Sequence, residues 1–350
     1  MTDSSQVMAG VWLVGHGDFD QLEYRTDIPR PGIGDYDVLI RVDAAGVNNT
    51  DINTRVGWYS KNDNDSEDAS WAGEALQLPR IQGIDACGEI VAVGCQVGND
   101  RIGERVMVEP CLTEVNGETL EFPWFLGSEC DGGFAEYLAV PSRHVYKVNT
   151  ALTSIELASF PCSYSTAENM LARSGVKAGE TVLVTGASGG VGSAAVQLVK
   201  ARDGQAIALT QSAKFDTLLE LGAAQAIDRQ ANLVETLGEN SVDVVLDLVG
   251  GDRWPELLQV LKPGGRYAVS GAIGGPDVTL DLRTLYLKDL TFFGCTALQP
   301  GVFQNLVEYI EQGRIKPLVS EVFPLKDIVA AQQCFLEKKH VGKIVLKVSD

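Results

Sequence analysis

The stretch Thr181–Lys200, TVLVTGASGGVGSAAVQLVK, constrains this chain more than any other. Thr181 to Thr185 is a short β-branched and apolar run. Gly186, Gly189, Gly190 and Gly192 follow, and then Ala195, Val196, Leu198 and Val199 recur with helical spacing. The order is strand, glycine turn, helix. Glycines let a backbone turn tightly and approach a pyrophosphate, and a helix start offers free N–H groups and the positive end of its dipole. A glycine pattern alone is weak evidence. Here the strand before it and the helix after it supply the context that such a turn requires.

The alternation continues on either side. Between about Ser163 and Ala297, strands are expected at 181–185, 205–210, 226–228, 242–248, 265–271 and 290–294. Helices intervene, for example at 213–221, stopped by Gly222, and at 255–261, stopped by Pro263-Gly264. Alternation of this kind predicts a parallel sheet covered on both faces. Ligands of such a sheet lie at the carboxyl ends of its strands. The turns to watch are therefore 186–192, 210–214, 247–251, 271–274 and 295–296.

Residues 11–148 read differently. Short β-rich runs are cut by Gly and Pro, with strands expected at 37–43, 88–93, 105–108 and 134–140. That spacing suggests a partly closed barrel or a sandwich. One insertion, Ser60–Glu74 (SKNDNDSEDASWAGE), is acidic and polar and reads as a solvated surface loop. Residues 298–350 hold helices at 302–312 and 325–338 and strands at 319–323 and 343–348. This tail is expected to fold back onto the first domain.

Charge and cysteine usage narrow the class. The 350 residues suffice for two domains. Asp and Glu total 47 against 28 Lys and Arg, a net charge of −19 that repels nucleic acid and anionic membrane. No apolar run approaches membrane-span length, and MTDSSQVMAG has no basic segment followed by an apolar core. The seven cysteines (Cys87, Cys95, Cys111, Cys130, Cys162, Cys295, Cys334) are scattered with no C-x-x-C, which reads as reduced thiols in a cytoplasmic protein.

The second strand of the alternating region separates NAD from NADP. An NAD site places Asp or Glu at its end to bind the ribose 2′-hydroxyl. Here Thr210 is followed by Gln211, Ser212, Ala213 and Lys214, with no acid. A hydroxyl and an ammonium suit a 2′-phosphate, and Arg229 at the end of the third strand adds a second cation. NADPH is the expected cofactor.

Six further pieces carry a resemblance: Ala45–Asp51 (AGVNNTD), Gly83–Gly94 (GIDACGEIVAVG), Gly132–Tyr137 (GGFAEY), Phe160–Thr166 (FPCSYST), Thr185–Gly192 (TGASGGVG) and Val341–Val345 (VGKIV). With them the chain resembles the medium-chain dehydrogenase/reductase superfamily over nearly its full length. The AxxGGVG form of the glycine turn looks like the quinone oxidoreductase and enoyl reductase branches, which prefer NADPH. The resemblance implies an α/β chain in which a GroES-like β-rich catalytic domain, 1–162 and 298–350, is split around a doubly wound Rossmann domain, 163–297. It also implies an active site in the cleft between the two domains and a homodimer formed through the last Rossmann strand.

The same resemblance bears on metal and on site residues. Zinc enzymes of the superfamily carry Cys, His and Cys at the positions matched by Asn48, Ile84 and Cys162, so one ligand of three survives. Zn²⁺ needs three protein ligands and an open position. Of the cysteines of a structural zinc lobe only Cys111 and Cys130 are candidates, and the proton-relay His falls at Asn53. No metal is expected, and Cys162 reads as a packed thiol. Without a Lewis acid, the accessible chemistry is reduction of a quinone or of a C=C conjugated to a carbonyl. The expected proton donor is Tyr59, eight positions past Asp51 as in the enoyl reductase branch; the other reading is an aromatic side chain that only packs on substrate. Asn49 and Thr50 complete the catalytic set, bonding the substrate oxygen or the nicotinamide ribose, and Asp51 holds the loop. The expected cofactor contacts are Asn48, Thr166, Ser188, Gly189, Gly190, Val191, Ser212, Lys214, Arg229, Val249, Ala272, Cys295, Thr296 and Lys343. Two rival functions stay open. One is a zinc-type alcohol dehydrogenase or carbonyl reductase that recruits metal through Cys162, Asp85 and water. The other is a non-catalytic NADPH-binding sensor.

Overall fold

Val182, Leu183 and Val184 have no solvent exposure, and neither do Val244, Val245 and Leu246. Each such side chain is stabilised by about 1.5–3 kcal/mol on burial, which is what drives these runs into the centre of a sheet. The computed structural model describes residues 7–59 and 75–349; the acidic insertion Ser60–Glu74 lies outside them. The chain divides into two compact units, 1–162 with 317–350 and 163–316.

The second unit is built on a six-stranded parallel sheet. In spatial order its strands are Gln225–Asp228, Gln205–Thr210, Thr181–Val184, Val242–Asp247, Leu261–Val269 and Thr291–Gly294. Numbered along the chain this is 3-2-1-4-5-6, the doubly wound dinucleotide-binding order. Helices Gly190–Ala201, Phe215–Leu221, Leu233–Leu237 and Trp254–Val260 connect the strands. One core cluster joins Leu183, Ile207, Ile227 and Val245 of the sheet to Trp254, Leu257 and Leu258 of the covering helix. The strand expected at 265–271 begins at Leu261, so Pro263-Gly264 lies inside the strand rather than between helix and strand.

The first unit is mainly antiparallel. Asp37–Val47, longer than the 37–43 expected, pairs with Cys87–Val93, Tyr137–Pro141 and Lys343–Lys347. It extends to Val47 because the C-terminal strand supplies partners there: Ile344 faces Val47 and Leu346 faces Ala45. The tail thus folds back onto this unit, and Ile344, Leu346, Leu325 and Ile328 share a core with Val11, Leu13 and Val47. A hairpin, Cys111–Val115 with Glu118–Phe125, stands beside the sheet.

The second chain crossing lies at 316/317, not at 297/298. Helix Val302–Glu311 belongs with the parallel sheet's unit. Lys316 N–H donates to Gln197 Oε1 (2.8 Å), Tyr164 Oη–H donates to Lys316 O (2.8 Å), and Arg314 stacks over Tyr309. These contacts anchor the end of the segment 298–316 in the parallel sheet's unit, whereas the sequence pattern places it with the tail. Among the described residues no helix is long and apolar enough to cross a membrane.

Candidate active site

In the first unit, helix Asn49–Val56 starts where the strand Asp37–Val47 ends. Its opening turn is set by Asp51, whose Oδ2 accepts from Asn48 N–H at 2.7 Å, while Ile84 N–H donates to Oδ1 (3.3 Å) and Gln82 Nε2 donates to Asp51 O (2.8 Å). Asp51 is buried. Burial raises its carboxyl to about 7; the Asn48 N–H opposes the rise, the Asp85 charge adds to it, and Lys343 opposes it.

Pairing of Ile344 with Val47 carries Lys343 to the same place. Its Nζ donates to Asp85 Oδ2 at 2.8 Å and to Asn48 Oδ1. Asn48 Nδ2 donates to Asp85 Oδ2 (2.8 Å) and Gly46 O (3.2 Å), and Cys162 N–H donates to Asp85 Oδ1 (2.6 Å). Lys343, Asp85 and Asn48 are all buried. The sequence reading gave Lys343 and Asn48 to the cofactor; the structure engages both inside the protein, because a buried carboxylate takes the ammonium. Asn48, Ile84 and Cys162 are not a Zn²⁺ ligand set, and the one added carboxylate, Asp85, already holds a cation. Among the described residues no three His, Cys, Asp or Glu side chains come together to hold a metal.

The expected catalytic residues are brought together by the same helix. Gly57, at a left-handed φ of 71°, ends it, and Trp58 N–H returns to Asn53 O (2.9 Å). That turn directs Tyr59 back along the helix. Tyr59 Oη–H donates to Thr50 Oγ1 (3.1 Å), and Asn53 Nδ2 donates to Tyr59 Oη (3.4 Å). Asn49 and Asn53, one turn apart, bond through Asn49 Nδ2 and Asn53 Oδ1 (3.1 Å). Lys338 Nζ donates to Asn49 Oδ1 (3.4 Å). Lys338 has no sequence signal, since only the fold of the tail brings it here.

In the second unit the expected cofactor contacts lie at the carboxyl ends of the strands, except Thr166, which is inside helix Pro161–Ser174. Helix Gly190–Ala201 has Gly189 as its N-cap, with no side-chain cap bond, so no side chain competes for its first N–H groups. A Cβ at Gly192 would lie 2.4 Å from Gly186 O, so only glycine allows the helix to start this close to the turn. Ser188, Gly190 and Val191 are half-buried and Gly189 is exposed. This cradle fits a dinucleotide's pyrophosphate. Arg229 N–H donates to Thr210 O (2.7 Å), and Ser212 N–H donates to Asp228 Oδ2 (3.1 Å), so the ends of the adjacent strands 205–210 and 225–228 stay together. Lys214 sits close enough to Arg229 that burial and then that neighbouring charge lower its pKa. Val249, Ala272 and Thr166 are half-buried and Thr296 is exposed, whereas Cys295 is buried with its Sγ toward Phe293 O (3.7 Å).

Residues 34–150 match the family model of the alcohol dehydrogenase GroES-like domain, and residues 221–346 match that of a zinc-binding dehydrogenase. A crystal structure of a putative alcohol dehydrogenase from Sinorhizobium meliloti 1021 is 45% identical, with a TM-score of 0.91 over 99% of this chain and 98% of that one. The chain belongs to the medium-chain dehydrogenase/reductase superfamily. It falls in the quinone oxidoreductase-like branch. The human protein named quinone oxidoreductase is 28% identical over 99% of both chains. An NAD-dependent alcohol dehydrogenase of Sulfolobus acidocaldarius is 29% identical over 92% of this chain and 95% of its own length. The superfamily is one of nicotinamide dinucleotide-binding oxidoreductases. The match at 221–346 contains none of the positions 48, 84 and 162.

Proposed function

We propose that the chain is an NADPH-dependent reductase acting without metal on a quinone or on the activated C=C of an α,β-unsaturated carbonyl compound. The observation that carries the reading is the Tyr59 hydroxyl, held between Thr50 Oγ1 and Asn53 Nδ2 at the helix that Asn48 caps. A reduced nicotinamide supplies hydride when bound. The chain's own part is the proton and the charge. Tyr59 gives a proton to the reduced acceptor, and the Asn53 amide donor stays on the oxygen that has lost it. Thr50 Oγ1 holds the Tyr59 proton until the hydroxyl turns to the acceptor. The Asn48–Asp85–Lys343 group maintains the loop that aims these side chains.

NADPH is favoured over NADH by the paired cations Lys214 and Arg229 and by the absence of acid in Gln211–Lys214. Asp228 is nearby, but its two oxygens accept from Ser212 N–H and Gln230 N–H (3.1 and 2.9 Å). The test is oxidation of NADPH and NADH, with and without chelator, by a small quinone, an enone and the saturated ketone of the same skeleton. We expect turnover of quinone or enone, unchanged by chelator, with at least about tenfold lower KM for NADPH, the scale of one charge-assisted contact. Chelator-sensitive reduction of the saturated ketone sinks the proposal.

We also read the chain as a cytoplasmic homodimer. The scattered cysteines support the compartment. The dimer is supported by Thr291–Gly294, an edge strand, and by exposed Leu282, Tyr286 and Leu287 (64, 62 and 71% accessible) on the helix before it. Light scattering should give about twice the 37.5 kDa of one chain, and Leu287→Glu should give the single mass; a wild-type monomer rejects this.

A further inference from the structure

The parallel-sheet unit contains a buried acid that the proposed proton chemistry does not use. Asp247 closes strand Val242–Asp247 and has no solvent exposure. Its Oδ1 accepts from Thr185 Oγ1 (2.6 Å), Val249 N–H (3.0 Å) and Gly250 N–H (3.2 Å), and its Oδ2 accepts from Tyr267 Oη–H (2.7 Å). Thr185 Oγ1 accepts in turn from Leu248 N–H (2.9 Å). Thr185 directly follows one neighbouring strand, and Tyr267 lies in the other. One carboxylate thus ties three adjacent strands at the point where the order of the sheet reverses.

The turn it orients is 248–251. A Cβ placed on Gly186 would lie 3.3 Å from Val249 Cγ2, so this turn packs on the glycine turn of the dinucleotide cradle. Across the other side, Gly274 N–H donates to Val249 O (2.7 Å) and Gly251 N–H to Gly275 O (3.1 Å). Plain packing does not call for a charge here, because a buried carboxylate is costly unless donors surround it. Backbone N–H groups aimed at one acceptor fix the planes of successive peptides, which apolar contacts do not.

We infer that Asp247, with Thr185 and Tyr267, is a positioning group for the dinucleotide: it fixes turn 248–251 in its binding form. The inference rests on the dinucleotide-dependent reading above. Thr185, Asp247 and Tyr267 act through the turn and are not catalytic residues.

The experiment measures dissociation constants of NADPH and NADH by fluorescence titration, with melting temperature in parallel, for wild type, Tyr267→Phe, Thr185→Val and Thr185→Ser. Tyr164→Phe is the control; its buried hydroxyl donates to Lys316 O and accepts from Gln197 Nε2 in the same unit, with no bond to Asp247 or to residues 248–251. Tyr267→Phe and Thr185→Val are expected to weaken both dinucleotides about tenfold, the effect of one hydrogen bond to a charged group. Thr185→Ser should restore binding, and Tyr164→Phe should lower the melting temperature without moving either constant. Tyr267→Phe and Thr185→Val that melt lower yet bind within twofold of wild type overturn the inference, as does an equal loss in Tyr164→Phe. Wild type that binds neither dinucleotide overturns the cofactor reading as well, which separates the two failures.

Discussion

Tyr59→Phe is expected to lower kcat with an enone by about 10²–10⁴-fold, the range for loss of a positioned general acid. Reduction of the C=C leaves negative charge on carbon and oxygen that a proton must quench. Tyr59 Oη is the hydroxyl held for this, with one bond donated to Thr50 Oγ1 and one accepted from Asn53 Nδ2. Phenylalanine keeps the ring and removes only the proton. The KM for NADPH should therefore stay within about twofold, because uniform binding is untouched. A quinone should be less affected, since its reduced oxygens are basic enough to take protons from water. Steady-state kinetics with both acceptors checks this. A loss below about threefold with both would return Tyr59 to a packing role.

Lys343→Met is expected to destabilise the chain by about 3–5 kcal/mol, the scale for removing one partner of a buried ion pair. The variant leaves the Asp85 carboxylate buried beside Asp51 without the ammonium that now bonds it at 2.8 Å. The deficit should depend on pH. Asp51 titrates at about 7 in the fold against an ordinary value near 4, so it favours folding while protonated, and that contribution is lost as pH rises through about 7. Lys343 opposes this rise, so its removal pushes Asp51 higher. Urea unfolding should show a deficit that widens as pH rises through and above about 7, where Asp51 has lost its proton in the wild-type fold and still holds it in the variant. Asp85→Asn added to Lys343→Met should recover much of the loss, because a neutral pair leaves no buried charge uncompensated. A single variant within about 1 kcal/mol of wild type at pH 7 would contradict the buried pairing.

The side chains around the proposed proton donor were half legible. Tyr59, Thr50 and Asn49 could be named because they lie within one helix and its following turn, where spacing decides which side chains meet. Lys338 could not, since nothing local links it to Asn49. Lys343 was legible as a site residue, but its bonds to Asp85 and Asn48 were not. Only the antiparallel register of Ile344 on Val47 brings it to a buried acid. Asp247 fell within the expected ligand turn 247–251, yet its side-chain donors come from both sides of its strand.

By itself, the sequence determined the elements and the class. The Thr181–Lys200 turn, the apolar runs at 205–210 and 242–247 and the glycine stops are local signals, and a parallel sheet with covered faces follows from their alternation. The tertiary structure alone decided the chain crossing at 316/317, the buried Asn48–Asp85–Lys343 group and the Asp247 network. Each depends on strand pairing or packing between residues far apart in the chain. A buried charge selects its partner by where register and packing deliver a donor, and neither is encoded in the spacing around the charge itself.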